Sequence, residues 1–161
     1  MGAPLAYLLT WRTYGTWLHG DGRGSVDWQH NAFGTPMLAP SSTRTEHVRS
    51  RMRYPPILLT ADAQALVASV IADHCRIRQW ELCESAVRSN HVHVVVTNAG
   101  LKPEPMMNQL KAYATRALRS AGLTPAEAPV WAEGGSTQYL WTATELDHAC
   151  AYVREGQDVP R

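Results

Sequence analysis

The chain has 161 residues, 45% hydrophobic and 18% charged, with a formal net charge of +1. That length suits one domain spanning residues 1–161, and the composition excludes wholesale disorder. No apolar run approaches the roughly 18 residues of a membrane span, and Met1–Leu9 lacks the basic start and long apolar stretch of a secretory signal.

Ala3–Thr13 has strand composition, with Tyr7, Leu8, Leu9 and Trp11 in a mostly apolar run. Residues 15–56 are rich in turn and breaker chemistry (HGDGRGS, FGTP, LAPSS, YPP) and are too long for a simple connection, so they read as an irregular insertion. Thr60 is the expected cap of a helix running to about Arg78, with Ala63, Leu66, Val67, Val70, Ile71 and His74 at helical spacing. Trp80–Val87 reads as a strand, Arg88-Ser89-Asn90 as a tight turn, and His91–Thr97 (HVHVVVT) as the third strand. Pro103–Ser120 is expected to be helical, with Met107, Leu110, Ala114 and Leu118 facing the core and Gly122 ending it. Val130-Trp131 and Gln138–Trp141 bracket a glycine-rich bend that leads into a last strand or hairpin. Thr144–Gly156 closes the chain as a helix with Leu146, Ala149, Cys150 and Val153 on one face. The order is βαββαβ followed by a helix, so the fold class is α+β: a ferredoxin-like antiparallel sheet with helices on one face.

In HVHVVVT, strand alternation separates His91, His93 and Val95 from Val92, Val94 and Val96. The valines belong against the helices, and the two imidazoles project side by side from the other face, about 7 Å apart along the strand. Two such side chains can converge on one divalent metal. On the last helix, Tyr152 lies about 240° around from Leu146, away from the apolar stripe. It shares its face with His148, Glu155 and Gly156.

SNHVHVVV resembles the HUH nucleases, and specifically the single-tyrosine transposases of the REP-associated branch. There a proline stands where this chain has Ser89, while Asn90, His91, Val92 and His93 match. AYVREGQ (151–157) is similar to that family's catalytic helix, with a tyrosine, an aliphatic residue and a polar metal ligand a few positions on. The resemblance covers Leu5–Thr13 and about Thr60–Gln157. It implies a divalent metal, Mg²⁺ or Mn²⁺, held by His91, His93 and a third donor. It also implies attack by Tyr152 on a DNA phosphate to give a 5′-phosphotyrosine, which a second DNA end can reverse. Single-stranded DNA with hairpins, a homodimer and a cytoplasmic location are the expected partners and setting.

The third donor departs from the family's better-known pattern. The position one turn after Tyr152 is Gly156, and Gln157 stands about 140° away on an intact helix. Gln157 is ranked first by resemblance, with Glu155 and His148 as rivals. Tyr113 is the rival nucleophile. His19, His30 and His47 have no ligand spacing, and Trp131 reads as a core residue. Three cysteines, Cys75, Cys83 and Cys150, form no CxxC pair and suit packed thiols in a reducing compartment.

Charge is unevenly spread. Residues 1–126 hold 13 basic against 8 acidic residues, and 127–161 hold 2 against 6. Arg44, Arg49, Arg51 and Arg53 in the insertion, with Lys111, Arg116 and Arg119 on the second helix, are the expected phosphate contacts. Two other functions remain open on the sequence: a domesticated, non-catalytic nucleic-acid-binding protein of the same fold, and a small HxH hydrolase that forms no covalent link.

Overall fold

The computed structural model describes residues 2–16 and 53–155. Its elements run β1 (Ala6–Arg12), α1 (Ala61–Arg78), β2 (Leu82–Val87), β3 (His91–Thr97), α2 (Pro103–Ser120), β4 (Ser136–Leu140) and α3 (Ala143–Glu155). The four strands form one sheet in the order β2-β3-β1-β4, every neighbouring pair antiparallel. This is the expected ferredoxin-like arrangement.

Strand alternation assigns the two faces. Tyr7, Leu9 and Trp11 of β1 and Val92, Val94 and Val96 of β3 pack with Ala63, Val67 and Ile71 of α1 and Met106, Leu110 and Leu118 of α2. The intervening positions, Ala6, Leu8 and Val95, pack instead with Leu140, Ala149 and Val153. The helix α3 therefore covers the opposite face from α1 and α2, and that is the face bearing the histidines. The sheet carries helices on one face only as far as β4; the last helix closes the other.

Local signals explain the element ends. Thr60 Oγ1 accepts the Ala63 N–H at 3.2 Å, capping α1 as expected. At its other end Gln79 takes a left-handed φ of 62°, and the Trp80 N–H donates to the Cys75 carbonyl at 2.8 Å. Trp80 thus belongs to the helix cap, its buried ring edge-on to His74, and β2 begins at Leu82 rather than at Trp80. Gly122, with φ 69°, ends α2 as anticipated, with the Leu123 N–H on the Leu118 carbonyl at 3.0 Å.

The β4 side of β1 is built from two pieces. Trp131 bridges Thr13, and the Ala132 N–H donates to the Arg12 carbonyl at 2.9 Å; β4 then takes over at Ser136 opposite Thr10. Between them the chain passes so close to β1 that a Cβ on Gly135 would stand 2.7 Å from the Thr10 carbonyl oxygen and 2.6 Å from Met107 Sδ.

Candidate active site

β3 is an interior strand, so its side chains are fixed from both sides. His93 pairs with Thr10 of β1 and Ala86 of β2, and His91 pairs with Arg12. The imidazoles stand side by side, centroids 4.9 Å apart and planes at 77°. His93 is 5% exposed. Its Nδ1 lies 2.8 Å from Thr10 Oγ1, and His91 Nδ1 lies 2.7 Å from Asn90 Oδ1. An amide oxygen only accepts, so this contact calls for a proton on His91 Nδ1.

The phenol arrives from α3. Thr142 Oγ1 accepts the Glu145 N–H at 3.1 Å, and the Glu145 carboxylate accepts the Trp141 N–H at 2.8 Å, a reciprocal cap that starts the helix. Buried Ala149 and Val153 hold it on the sheet, and Arg154 Nε donates to Glu84 Oε2 of β2 at 3.2 Å. Tyr152 is turned off that buried stripe and is 39% exposed, as its helical angle anticipates. Its ring centroid lies 5.7 Å from that of His93, with planes at 72°. The phenol of Tyr152 meets the His93 imidazole, and through it the histidine pair, from a part of the chain distant in sequence.

Tyr113 is elsewhere. Its ring packs 4.4 Å from His74 of α1 and lies beneath the Arg116 guanidinium at 5.1 Å, in the helical layer on the far side of the sheet. His148 and Glu155 are exposed on α3, and among the described residues no three or more His, Cys, Asp or Glu side chains form a metal-holding group. Neither rival thus completes a three-donor set with the histidine pair. Gln157, Arg44, Arg49 and Arg51 lie outside the described residues, as does most of 15–56; Arg53 is exposed, its guanidinium 5.5 Å from the Tyr54 ring.

Of the α2 cations that helical spacing puts on one basic face, Arg116 and Arg119 are exposed and Lys111 is half-buried. Lys111 Nζ donates to the carbonyls of Ala132 and Gly134 at 3.1 and 2.8 Å, and Arg119 Nη2 donates to the Ala128 carbonyl at 2.9 Å. Burial lowers the Lys111 pKa, with Glu133 opposing that shift. Lys111 is a clamp on the glycine-rich bend. Trp131 is buried, edge-on to Trp11 with centroids 6.0 Å apart, and its indole N–H donates to the Lys111 carbonyl. The three cysteines are free thiols; burial raises the pKa of each, that of Cys75 to about 11.

Sequence reasoning passed over Thr10. In retrospect its parity on β1, between buried Leu9 and Trp11, puts it on the histidine face, but alternation alone does not say which residue of β3 it meets.

The sequence profile described as "Transposase IS200 like" matches residues 44–155. The chain belongs to the IS200-like transposase family. Among solved structures, the chain is similar to a REP-associated tyrosine transposase bound to a REP hairpin, at 10% identity and a TM-score of 0.50 over 94% of this chain. The chain spans 66% of the length of that protein. It is also similar to a Deinococcus radiodurans R1 protein named as a transposase, at 14% identity and a TM-score of 0.54, covering 92% of this chain and 88% of the other. At such identities the likeness shows the shared α+β fold. No curated protein matches the sequence. Among the described residues, no helix of the chain is long and apolar enough to cross a membrane.

Proposed function

We propose that this transposase cuts and rejoins single-stranded DNA through a covalent bond to Tyr152. The Tyr152 oxygen, having given up its proton, attacks phosphorus; the P–O3′ bond breaks, the 3′ oxygen takes up a proton, and a 5′-phosphotyrosine is left. The phosphodiester energy is kept in that bond, so a second 3′-OH reverses the step and joins a new strand. The observation that carries this reading is the contact of Tyr152 with His93, a phenol held off the core and against an imidazole pair. Family membership as a transposase supports the same chemistry.

His91 and His93 suit a divalent metal, Mg²⁺ or Mn²⁺. Asn90 Oδ1 and Thr10 Oγ1 stand at the two Nδ1 atoms, where an oxygen partner fixes the ring and leaves Nε2 to coordinate. When bound there, the metal would act as a Lewis acid on the phosphate oxygens. Gln157 remains the proposed third donor. Hairpin-bearing DNA as substrate is suggested by the hairpin bound to the REP-associated relative, and a homodimer is part of the same proposal.

The test is a denaturing gel after incubation of hairpin-bearing single-stranded DNA with the protein and Mg²⁺ or Mn²⁺. A protein–DNA adduct that is lost in Tyr152→Phe and in His91→Ala is the expected result. Tight binding with no adduct in the wild type overturns it in favour of a non-catalytic binding protein. Cleavage without a protein-linked product points to a hydrolase.

A further inference from the structure

Beneath Tyr152 the sheet presents two rows of side chains running across β1, β3 and β2. One row is Thr10, His93 and Ala86. The next is Arg12, His91 and Arg88: Arg12 pairs with His91 across the strands, and the Arg88 N–H donates to the His91 carbonyl at 2.8 Å to close the Ser89-Asn90 turn. Trp11, Val87 and Val92, one residue along from each member of this second row, pack into the α1–α2 layer. Alternation therefore sends Arg12, His91 and Arg88 out on the face that α3 covers. With strands spaced about 4.8 Å apart, the two arginine backbones flank His91 at roughly 5 Å on either side. Both side chains are half-buried.

We propose that Arg12 and Arg88 are a phosphate-binding pair that grips the scissile phosphodiester of a single-stranded nucleic acid. A guanidinium stays charged at every working pH and offers a rigid fork of donors matched to phosphate oxygens. A phosphate that reaches the His91 imidazole lies over the row in which Arg12 and Arg88 flank it. Binding there orients the phosphorus toward the phenol, and the fixed positive charge stabilises the negative charge that builds on the non-bridging oxygens during attack. The residues concerned are distinct from the insertion arginines, and the α2 cations belong to the helical layer on the other side of the sheet. The inference rests on the reading of Tyr152 as nucleophile, but its binding component is measurable without turnover.

The experiment measures binding of a fluorescent oligonucleotide, a hairpin with a single-stranded flank, in EDTA over a range of NaCl concentrations, and then adduct formation with Mn²⁺. The variants are Arg12→Ala, Arg88→Ala, the double alanine variant and the two Arg→Lys variants. Each alanine should make the slope of log K against log[salt] shallower by about 0.7. Adduct formation at saturating DNA should fall about 10²–10³-fold. Lysine should restore the salt slope but not the adduct rate, because it keeps the charge and loses the fork. Wild-type slope and adduct rate in the double variant overturn the proposal. If an alanine variant fails to fold by circular dichroism, the lysine variants decide on adduct rate alone, and a wild-type rate in both overturns it. A wild-type protein that binds but forms no adduct instead sinks the nucleophile reading; the change in slope then still tests the arginine pair.

Discussion

Tyr152 stands with its ring 5.7 Å from that of His93, although the two residues belong to layers built by different physical rules. His93 is placed by strand alternation and by pairing on both sides. Tyr152 is placed by the rotation of a helix whose Ala149 and Val153 are drawn into the sheet. The meeting depends on α3 covering the face that α1 and α2 leave open.

The first prediction separates chemistry from folding. Tyr152 is 39% exposed and lies beside the apolar stripe, so Tyr152→Phe removes one hydroxyl and no core contact. Its unfolding free energy should stay within about 0.5 kcal/mol of the wild type by urea denaturation. Adduct formation on the same sample should drop to background. A loss of several kcal/mol would mean that the ring is a packing element.

The second concerns the clamp between Arg154 and Glu84. The pair is largely solvent-exposed on the arginine side, so Arg154→Ala should cost no more than about 1 kcal/mol of stability. It sits two residues from Tyr152 and ties α3 to β2, so the helix should gain freedom at its last turn. Adduct formation is expected to slow while the melting temperature barely moves. The charge-swapped pair Glu84→Arg with Arg154→Glu should recover most of the rate; no recovery would show that the ion pair has no part in holding Tyr152.

Much of this was legible in the sequence because two periodicities carried it. HVHVVVT showed both of its faces, since valines at alternate positions can only be core. The angle between Tyr152 and the Leu146–Val153 stripe showed an off-core phenol. What was hidden came from contacts distant in sequence. Trp80 has strand chemistry, yet a left-handed Gln79 folds it into the cap of α1. Lys111 shares a helix with Arg116 and Arg119, but spacing along that helix does not reveal that the bend at 132–134 crosses over it. Thr10, Arg12 and Arg88 acquire their meaning from strand register, which alternation leaves undetermined.

Cys75 gives a pH prediction. Burial among α1 core residues pushes its thiol from 9.0 to about 11, so the folded state holds the proton over a range where the unfolded chain releases it. The folded state then binds more protons than the unfolded one, and stability must fall as pH rises from about 9 towards 11. The loss attributable to this residue is on the order of 1–3 kcal/mol. Denaturation curves of wild type and Cys75→Ala should converge across that window. Parallel curves would remove the thiol as the cause.

Lys111 tests the clamp reading against the phosphate-contact expectation. Lys111→Ala strips a donor from the Ala132 and Gly134 carbonyls and should cost about 1–2 kcal/mol. As a clamp it should leave the salt slope of DNA binding unchanged. A slope shallower by about 0.7, with stability intact, would return Lys111 to the list of phosphate contacts.

The last prediction concerns Thr10, whose hydroxyl stands 2.8 Å from His93 Nδ1. Thr10→Val keeps the β-branched shape that suits β1 and removes only the hydrogen bond, so the backbone register with β3 and β4 should persist. Coordination through Nε2 needs the proton on Nδ1, and an oxygen acceptor beside Nδ1 favours that tautomer and fixes the ring's rotation. Without it the imidazole loses both constraints. Mn²⁺ affinity measured by calorimetry should fall about 10- to 100-fold, with a stability change of only about 1 kcal/mol. Thr10→Ser, which retains the oxygen, should recover most of the affinity. If valine binds Mn²⁺ as tightly as threonine does, His93 is not oriented from β1, and the hydroxyl is there only to satisfy a buried ring nitrogen.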